Sequence, residues 1–282
     1  MRSAPAYLAL VFGLATAGSA SAQIAVTSST MVERTMLPGE TYRDAITIHN
    51  GSKTTQAVSL TLADYRFSAS GATEFDPPAT QPRSNVSWVG LGHTSVSVPP
   101  HGDVAVNYTV TVPSSAPAPV GSYWSVVLVE AARTQSTPDK GFAVVPALRY
   151  AIQIATHVGR SGEARLAFGE PHLVRTGLTM AVNNVPGVRD DAWSLGADSQ
   201  LAIDITDAGT RACRPAVRVE VYQPGGRLVH AATAQRGLLY PGSSIRQVFG
   251  LPPLPSGDYV VLLLADVGTD QVQGTKFNLH VP

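Results

Sequence analysis

The sequence predicts an all-β protein with two β-sandwich domains in tandem, and three observations support this prediction. Strict alternation of apolar and polar residues runs through 103–112, a period of two that fits a strand and excludes a helix. A two-strand unit occurs at 99–131 and again at 240–266, each copy reading Pro and Gly, strand, prolines, Gly-x-Tyr, strand. Recurrence of such a unit indicates two domains of similar plan. No amphipathic stretch longer than a turn or two predicts a helix, as is typical of an all-β chain.

The first 22 residues have the pattern of a secretory signal peptide. Arg2 precedes a short apolar run, and small residues follow at Ala20, Ser21 and Ala22, so we expect cleavage after Ala22. The apolar run is too short to cross a bilayer. We therefore expect an exported protein, periplasmic or secreted, without an integral membrane segment.

Charge and cysteine content limit the function classes. The 20 Lys and Arg residues balance 20 Asp and Glu residues, for a formal net charge of +0, which lacks the basic excess of a nucleic-acid binder. Cys213 is the single cysteine, so neither an internal disulfide nor a cysteine metal cage can form. Stability must come from hydrophobic cores, and a mature chain of about 260 residues is long enough for two.

The first half of the mature chain contains about eight strand patterns, separated by turn signals. They lie at 24–36, 42–49, 56–67, 85–92, 95–100, 103–112, 121–131 and 144–158. This number and spacing predict an immunoglobulin-like sandwich over residues 23–158.

A polar segment at 159–162 is the expected hinge, and residues 163–282 are predicted to form the second immunoglobulin-like sandwich. Strand patterns there lie at 178–182, 201–205, 217–232, 244–250, 257–266 and 274–282. Tyr123 and Tyr259 hold the same place in the two copies of the repeated unit. We expect both rings to pack under a turn, with each hydroxyl bonded to the backbone.

No catalytic or phosphate-binding motif occurs in the sequence. The seven histidines are scattered without metal-ligand spacing, and the acidic residues from Asp190 to Asp207 lack the spacing of a calcium loop, so a solvated loop is the simpler interpretation. We expect a protein that is not an enzyme and binds no metal or cofactor. A triad of distant residues would leave no local pattern and stays open.

Several segments resemble those of bacterial periplasmic chaperones for pilus or fimbria assembly. They are LPGETYRDAITIHNGS from Leu37, VSWVGL from Val86, the strand ending in Pro before Gly-x-Tyr, and the second copy of that unit from Pro241. The resemblance implies two immunoglobulin-like domains set at an angle, which lend an edge strand to an unfinished pilus subunit. It also implies a basic pair that holds the subunit's terminal carboxylate. Arg34 matches the first basic position, whereas the second has no Lys, and Arg149 is the nearest substitute.

A second interpretation is a surface-exposed binding or scaffolding protein. Its layout of two β-domains in one exported chain is similar to that of WxL-interacting proteins. This interpretation needs no basic pair, although the chain has no wall-sorting motif or lipobox.

The strand pattern at 146–158 is the candidate site for an exported protein partner. Leu148, Tyr150, Ile152 and Ile154 share one face of this strand. If the strand is a sheet edge, a partner polypeptide could add to it, and Arg149 with a neighbouring Arg34 could hold a carboxylate. The alternative is an ordinary interior strand whose apolar face packs in its own sandwich.

Overall fold

In a computed structural model, the described residues are 24–115, 119–131, 148–175, 199–269 and 272–281. The expected signal peptide, residues 146–147 of the candidate strand and the acidic residues before Ser199 lie outside these ranges. None of the helical structure in these ranges is long and apolar enough to cross a membrane.

Two sheets face each other in the N-terminal half, residues 24–158. The strands are β1 (Ile24–Val26), β2 (Met31–Met36), β3 (Thr41–Asn50), β4 (Gln56–Phe67), β5 (Thr73–Asp76), β6 (Val89–Leu91), β7 (Ser95–Val98), β8 (Asp103–Thr111), β9 (Gly121–Ala131) and β10 (Arg149–Val158), with a short 3₁₀ helix at Val86–Trp88. The front sheet has the order β1-β3-β8-β6. The back sheet has the order β2-β10-β9-β4-β5, with β7 also pairing with β4.

The C-terminal half, residues 163–281, repeats this two-sheet plan. Its strands are β11 (Leu166–Phe168), β12 (His172–Arg175), β13 (Ser199–Asp207), β14 (Ala216–Tyr222), β15 (Leu228–Gln235), β16 (Ser244–Gly250), β17 (Gly257–Asp266) and β18 (Val272–Val281). In one sheet β13 pairs with β11, β12 and β16, and the other sheet has the order β15-β14-β17-β18. The all-β prediction of two immunoglobulin-like sandwiches in tandem is confirmed.

Each half buries a hydrophobic core of its own. In the first, Val106, Tyr108 and Val110 of β8 face inward, as their alternation predicts. The second core includes Ile203 of β13 and Val261 of β17. Apolar burial is the main favourable term in folding, so each half has the means to fold around its own core.

The repeated sequence unit has the same structural role in both halves. β8 and β9 lie in different sheets, and so do β16 and β17, so the proline-rich link carries the chain across the sandwich each time. Tyr259 is buried, and its hydroxyl donates to the carbonyl of Pro255 at 2.8 Å. Tyr123 differs, because its half-buried ring packs against Trp88 at 4.6 Å. The expected equivalence of the two tyrosines is therefore wrong in part: the hydroxyl bond to the backbone is found at Tyr259, and none is found at Tyr123 among the described residues.

The domain boundaries remain a prediction that separate expression can test. Fragments 23–158 and 163–282 should each unfold in one cooperative transition by thermal circular dichroism, because each contains a complete core. Both should melt below the intact chain, since separation exposes apolar surface where the halves meet. If neither fragment shows a cooperative transition, the boundary at 159–162 is wrong.

Candidate functional site

The outer face of the back sheet packs against the C-terminal half. The ring of Trp124, on β9, stacks on Tyr240 with centroids 4.6 Å apart and planes 13° from parallel. Its indole N–H donates to the carbonyl of Tyr65 at 2.6 Å. Ala155 of β10 and Leu238 complete this buried contact, so the back sheet is covered on both faces here.

An aromatic cleft opens beside this contact. A cavity of about 420 Å³ is lined by Met31, Tyr65, Phe67 and Gln153 from the N-terminal half and by Leu238 from the other half, among other residues. Gln153 accepts a hydrogen bond from the Tyr240 hydroxyl at 2.8 Å. The cleft lies where β2 begins beside β10, because Met31 and Gln153 are register partners.

Close backbone contacts join the two halves at the predicted hinge. A Cβ atom on Gly121 would lie 1.9 Å from the carbonyl oxygen of Thr210, and one on Gly162 would lie 2.5 Å from the Cα of Gly121. Both glycines also have positive φ, 83° and 86°, which side chains disfavour. The N–H of Ser122 donates to Thr210 O at 2.9 Å. Arg211 adds bonds from Nη1 to the carbonyls at positions 159 and 161.

A chain of hydrogen bonds between side chains also crosses from one half to the other. The N–H of Ala212 donates to Ser122 Oγ at 2.9 Å, and that oxygen lies 2.6 Å from His157 Nδ1. His157 Nε2 lies 2.8 Å from Glu33 Oε1. Both Glu33 oxygens are bonded by the guanidinium of Arg214. We call these five residues the hydrogen-bond chain.

The charged groups of the hydrogen-bond chain are partly buried. The hydrogen bond from Arg214 lowers the pKa of Glu33, so this carboxylate is ionised at neutral pH. Burial lowers the pKa of His157, and the nearby Glu33 only partly opposes this shift. His157 is therefore neutral at pH 7, and the ion pair consists of Glu33 and Arg214.

Ser122, His157 and Glu33 have the order of a nucleophile, base and acid, but their surroundings do not suit catalysis. Ser122 is 0% exposed, and its oxygen accepts the Ala212 N–H. Arg214 already neutralises Glu33. A substrate carbonyl would need to reach the nucleophile, and the buried Ser122 oxygen leaves no room for one. The arrangement therefore serves as a structural link between the two halves.

β10 is an interior strand over most of its length, which corrects the prediction that 146–158 is a sheet edge. All of β10 pairs with β9, antiparallel, from Arg149 opposite Glu130 to Val158 opposite Gly121. β2 runs parallel to the other side of β10, but only from Gln153 to Val158. Residues 149–152 have no strand partner on that side among the described residues. The open edge is therefore the first four of the ten residues of β10.

Three of the four apolar residues of the candidate site lie on the inner face of β10. Ile152 and Ile154 are fully buried in the core of their own sandwich. Tyr150 packs against that core, and its hydroxyl donates to the carbonyl of Ile24 at 3.1 Å. Leu148, just before β10, is 51% exposed. The interior alternative is thus correct for Ile152 and Ile154, and Leu148 is the apolar residue that a partner can reach.

Arg34 and Arg149 do not form a pair, which corrects the idea of a shared carboxylate site. Arg34 is opposite Thr156 in the register of β2 and β10, seven positions from Arg149, or about 23 Å along a strand. Arg34 lies over the Tyr42 ring and 3.6 Å from Asp44. Arg149 pairs with Glu130.

No family model matches the chain, and no curated protein matches it by sequence. The class 5 fimbriae chaperone CfaA is 11% identical, with a TM-score of 0.46 over 90% of this chain and 98% of that chain. The chain is similar in fold to fimbrial chaperones. The CupB2 chaperone of Pseudomonas aeruginosa is 11% identical, with a TM-score of 0.36 over 92% and 100% of the two chains. The CsuC–CsuE chaperone–subunit complex of Acinetobacter baumannii is 12% identical, with a TM-score of 0.37 over 82% and 91%. At these values the similarities assign no function.

The sequence reasoning missed the residues that join the halves. Glu33, Ser122, His157 and Arg214 lie far apart in sequence, so no spacing connects them. A usable signal was the apolar run of β9, in which residues 126–129 are all apolar and all buried. Such a run indicates a strand covered on both faces. In the described part of the chain, His, Cys, Asp and Glu form no group of three or more that could hold a metal.

Asp207 is buried, which corrects its assignment to a solvated acidic loop. Its Oδ1 accepts the N–H of Gly209 at 2.8 Å, at the start of the turn that carries Thr210. Its Oδ2, like Ser243 Oγ, is buried without a hydrogen-bond partner among the described residues. Burial raises the pKa of Asp207 to about 7. The folded state therefore favours the protonated, uncharged form of this carboxyl group.

We predict that Asp207 makes the protein less stable as pH rises from about 4 to about 8. A group whose pKa is higher in the folded state binds protons better there, so its stabilisation is complete below the ordinary pKa of 3.8 and is lost as pH passes about 7. The loss should approach about 4 kcal/mol. Asp207→Asn should remove this slope in urea unfolding measured at several pH values.

Asp204→Asn is a matched control on the same strand. Asp204 is bonded to Arg246, which lowers its pKa, so its loss should leave the slope from Asp207 in place. An unchanged slope in Asp207→Asn would contradict the prediction.

Proposed function

We propose that this chain is a non-catalytic chaperone-like protein of the periplasm that binds exported polypeptides, such as pilus subunits, by strand addition. The observation that carries the proposal is the open edge at the first four residues of β10. Here the back sheet ends in unpaired backbone among the described residues, while further along β2 fills the same position. An extended segment of a partner would pair with Arg149–Ile152, on the side of β10 that β2 occupies further along the strand.

The hydrogen bonds of β10 tell which backbone groups such a partner would use. Gln153 N–H donates to Thr30 O, and Gly159 N–H donates to Met36 O, both at 2.8 Å. Alternate residues of a strand point their backbone groups to the same side. The N–H and C=O of Ala151 therefore point to the open side. Unpaired groups of this kind invite another strand.

The side chains around this edge suit an apolar strand. Leu148 offers an exposed apolar surface beside the opening, and Tyr150 is partly buried next to it. Arg149 adds the charge at this end of β10, although Glu130 already pairs with it. Main-chain bonds would supply affinity, and these side chains would supply selectivity. Arg34 lies at the far end of β10 and plays no part in this edge.

Two substitutions at the open edge test the proposal. Ala151→Pro removes the N–H that faces the partner and leaves the pairing with β9 intact, and Leu148→Asp removes the apolar contact. Each variant should bind about tenfold less of a fimbrial subunit co-expressed in the periplasm. A lost backbone bond with steric obstruction at Ala151, or a lost apolar contact at Leu148, is worth about 1.4 kcal/mol. The measurement is the amount of subunit that co-purifies with the folded protein.

Matched controls come from β15, a terminal strand of the other half. Leu228→Asp changes an equally exposed leucine, 46% against 51%. Ala231→Pro removes an N–H that points away from β14. The N–H of Arg236 donates to Pro215 O, beside β14. Because backbone groups alternate along a strand, the N–H of Ala231 points to the opposite side. Equal binding by edge and control variants would reject strand addition at β10 and favour the surface-binding interpretation.

A further inference from the structure

The hydrogen-bond chain between the halves admits one arrangement of hydrogens at neutral pH. The Ala212 amide can only donate, so Ser122 Oγ accepts from it and gives its own hydrogen to His157 Nδ1. Neutral His157 then carries its proton on Nε2 and donates to Glu33. Glu33 accepts from both sides and is neutralised by Arg214. Each hydrogen in the chain has one acceptor.

A second proton on His157 destroys this arrangement. The proton must bind Nδ1, the atom that already accepts the Ser122 hydroxyl. The Ser122 oxygen can accept from both the imidazolium and the Ala212 N–H. Its own hydrogen, however, would have lost its acceptor, in a residue that is 0% exposed. A buried polar hydrogen without an acceptor costs about 1 to 3 kcal/mol. Withdrawal of the segment that carries Ala212 relieves this cost, because it admits water as an acceptor for the Ser122 hydrogen.

Burial is the largest effect on the protonation of His157, and it opposes the imidazolium. Glu33 on β2 favours the imidazolium, while Arg211 and Arg214 on the segment from the other half oppose it. Ser122 on β9 adds no charge. Burial and the two arginines together outweigh Glu33, so the pKa of His157 is lowered. Moving the two arginines away would relieve the repulsion and admit water to the ring.

We propose that His157 is a proton-operated latch, whose protonation releases the segment from Arg211 to Arg214 and loosens the contact between the two halves. The ring of Trp124 and the aromatic cleft lie beside this segment, so release exposes apolar surface. The latch would make the angle between the halves depend on the acidity of the medium. It does not require that the open edge of β10 binds a partner.

The direction of the pH effect follows from which state, released or closed, binds the proton on His157 more strongly. In the released state His157 is solvated with its ordinary pKa of 6.5, whereas in the closed state the pKa is lower. Acid therefore favours release, and the opening equilibrium should rise about tenfold for each pH unit below 6.5 until the closed-state pKa is reached. Asp207, in the neighbouring turn, acts in the opposite sense, because acid stabilises its folded form.

Amide hydrogen exchange of the full chain tests the latch. All proteins carry Asp207→Asn, so that the opposing titration is absent. After correction for intrinsic exchange rates, the amide of Ala212 should lose protection between about pH 7.5 and about pH 5.5, by up to about tenfold. His157→Gln, which cannot gain a proton, should show no such loss. Ser122→Ala, which removes the acceptor for Ala212, should leave that amide unprotected at both pH values.

The matched control is His49→Gln, which alters a histidine paired with Asp103 on the front sheet. It should keep the full pH response. Constant protection of Ala212 in the parent protein over this range would overturn the proposal, and so would a full pH response in His157→Gln. Failure here would leave binding at the β10 edge unaffected, since that binding is measured at neutral pH.

Discussion

The structure depends on one constraint, the burial of the back sheet on both faces. The side chains of β9 show this burial. Val127 and Val129 enter the core of the N-terminal half, whereas Trp124 and Val126 are buried on the opposite face of the sheet. A sheet covered on both sides can serve as a shared wall for two sandwiches. The glycine contacts and the ion pair at Glu33 both lie along this wall, because it is where the two halves meet.

Alternation along the chain was enough to predict the sandwich strands. β8 could be assigned residue by residue, since the period of two reports which side chains enter a core on one side only. The same rule also explains the failure at β10. Its apolar alternation was read correctly as a strand, but the covering of Gln153–Val158 by β2 is a parallel pairing of segments more than a hundred residues apart. Periodicity says which face is apolar and does not say whether a neighbour lies in the plane of the sheet.

The outcome for Arg34 shows how one position changes the chemistry of a site. Consecutive residues of a strand point to opposite faces. Glu33 reaches Arg214 in the other half, whereas Arg34 turns to the edge between the two sheets and covers Tyr42. Arg34 was expected to hold a partner's carboxylate, but the residue of β2 that faces the other half is the acid Glu33. Only knowledge of which face of β2 is outward could have shown this.

The glycine contact at Gly121 and Thr210 has a consequence for biogenesis. Thr210 is delivered by a part of the chain that emerges long after β9 and β10 are complete, so the N-terminal sandwich must exist for a time without its neighbour. During that interval the indole of Trp124 faces water on a sheet that is apolar on its second side. Such transient surfaces favour association with other unfinished chains. Between the completion of the first sandwich and the docking of the second, the protein therefore presents an aromatic sheet face that the finished fold buries.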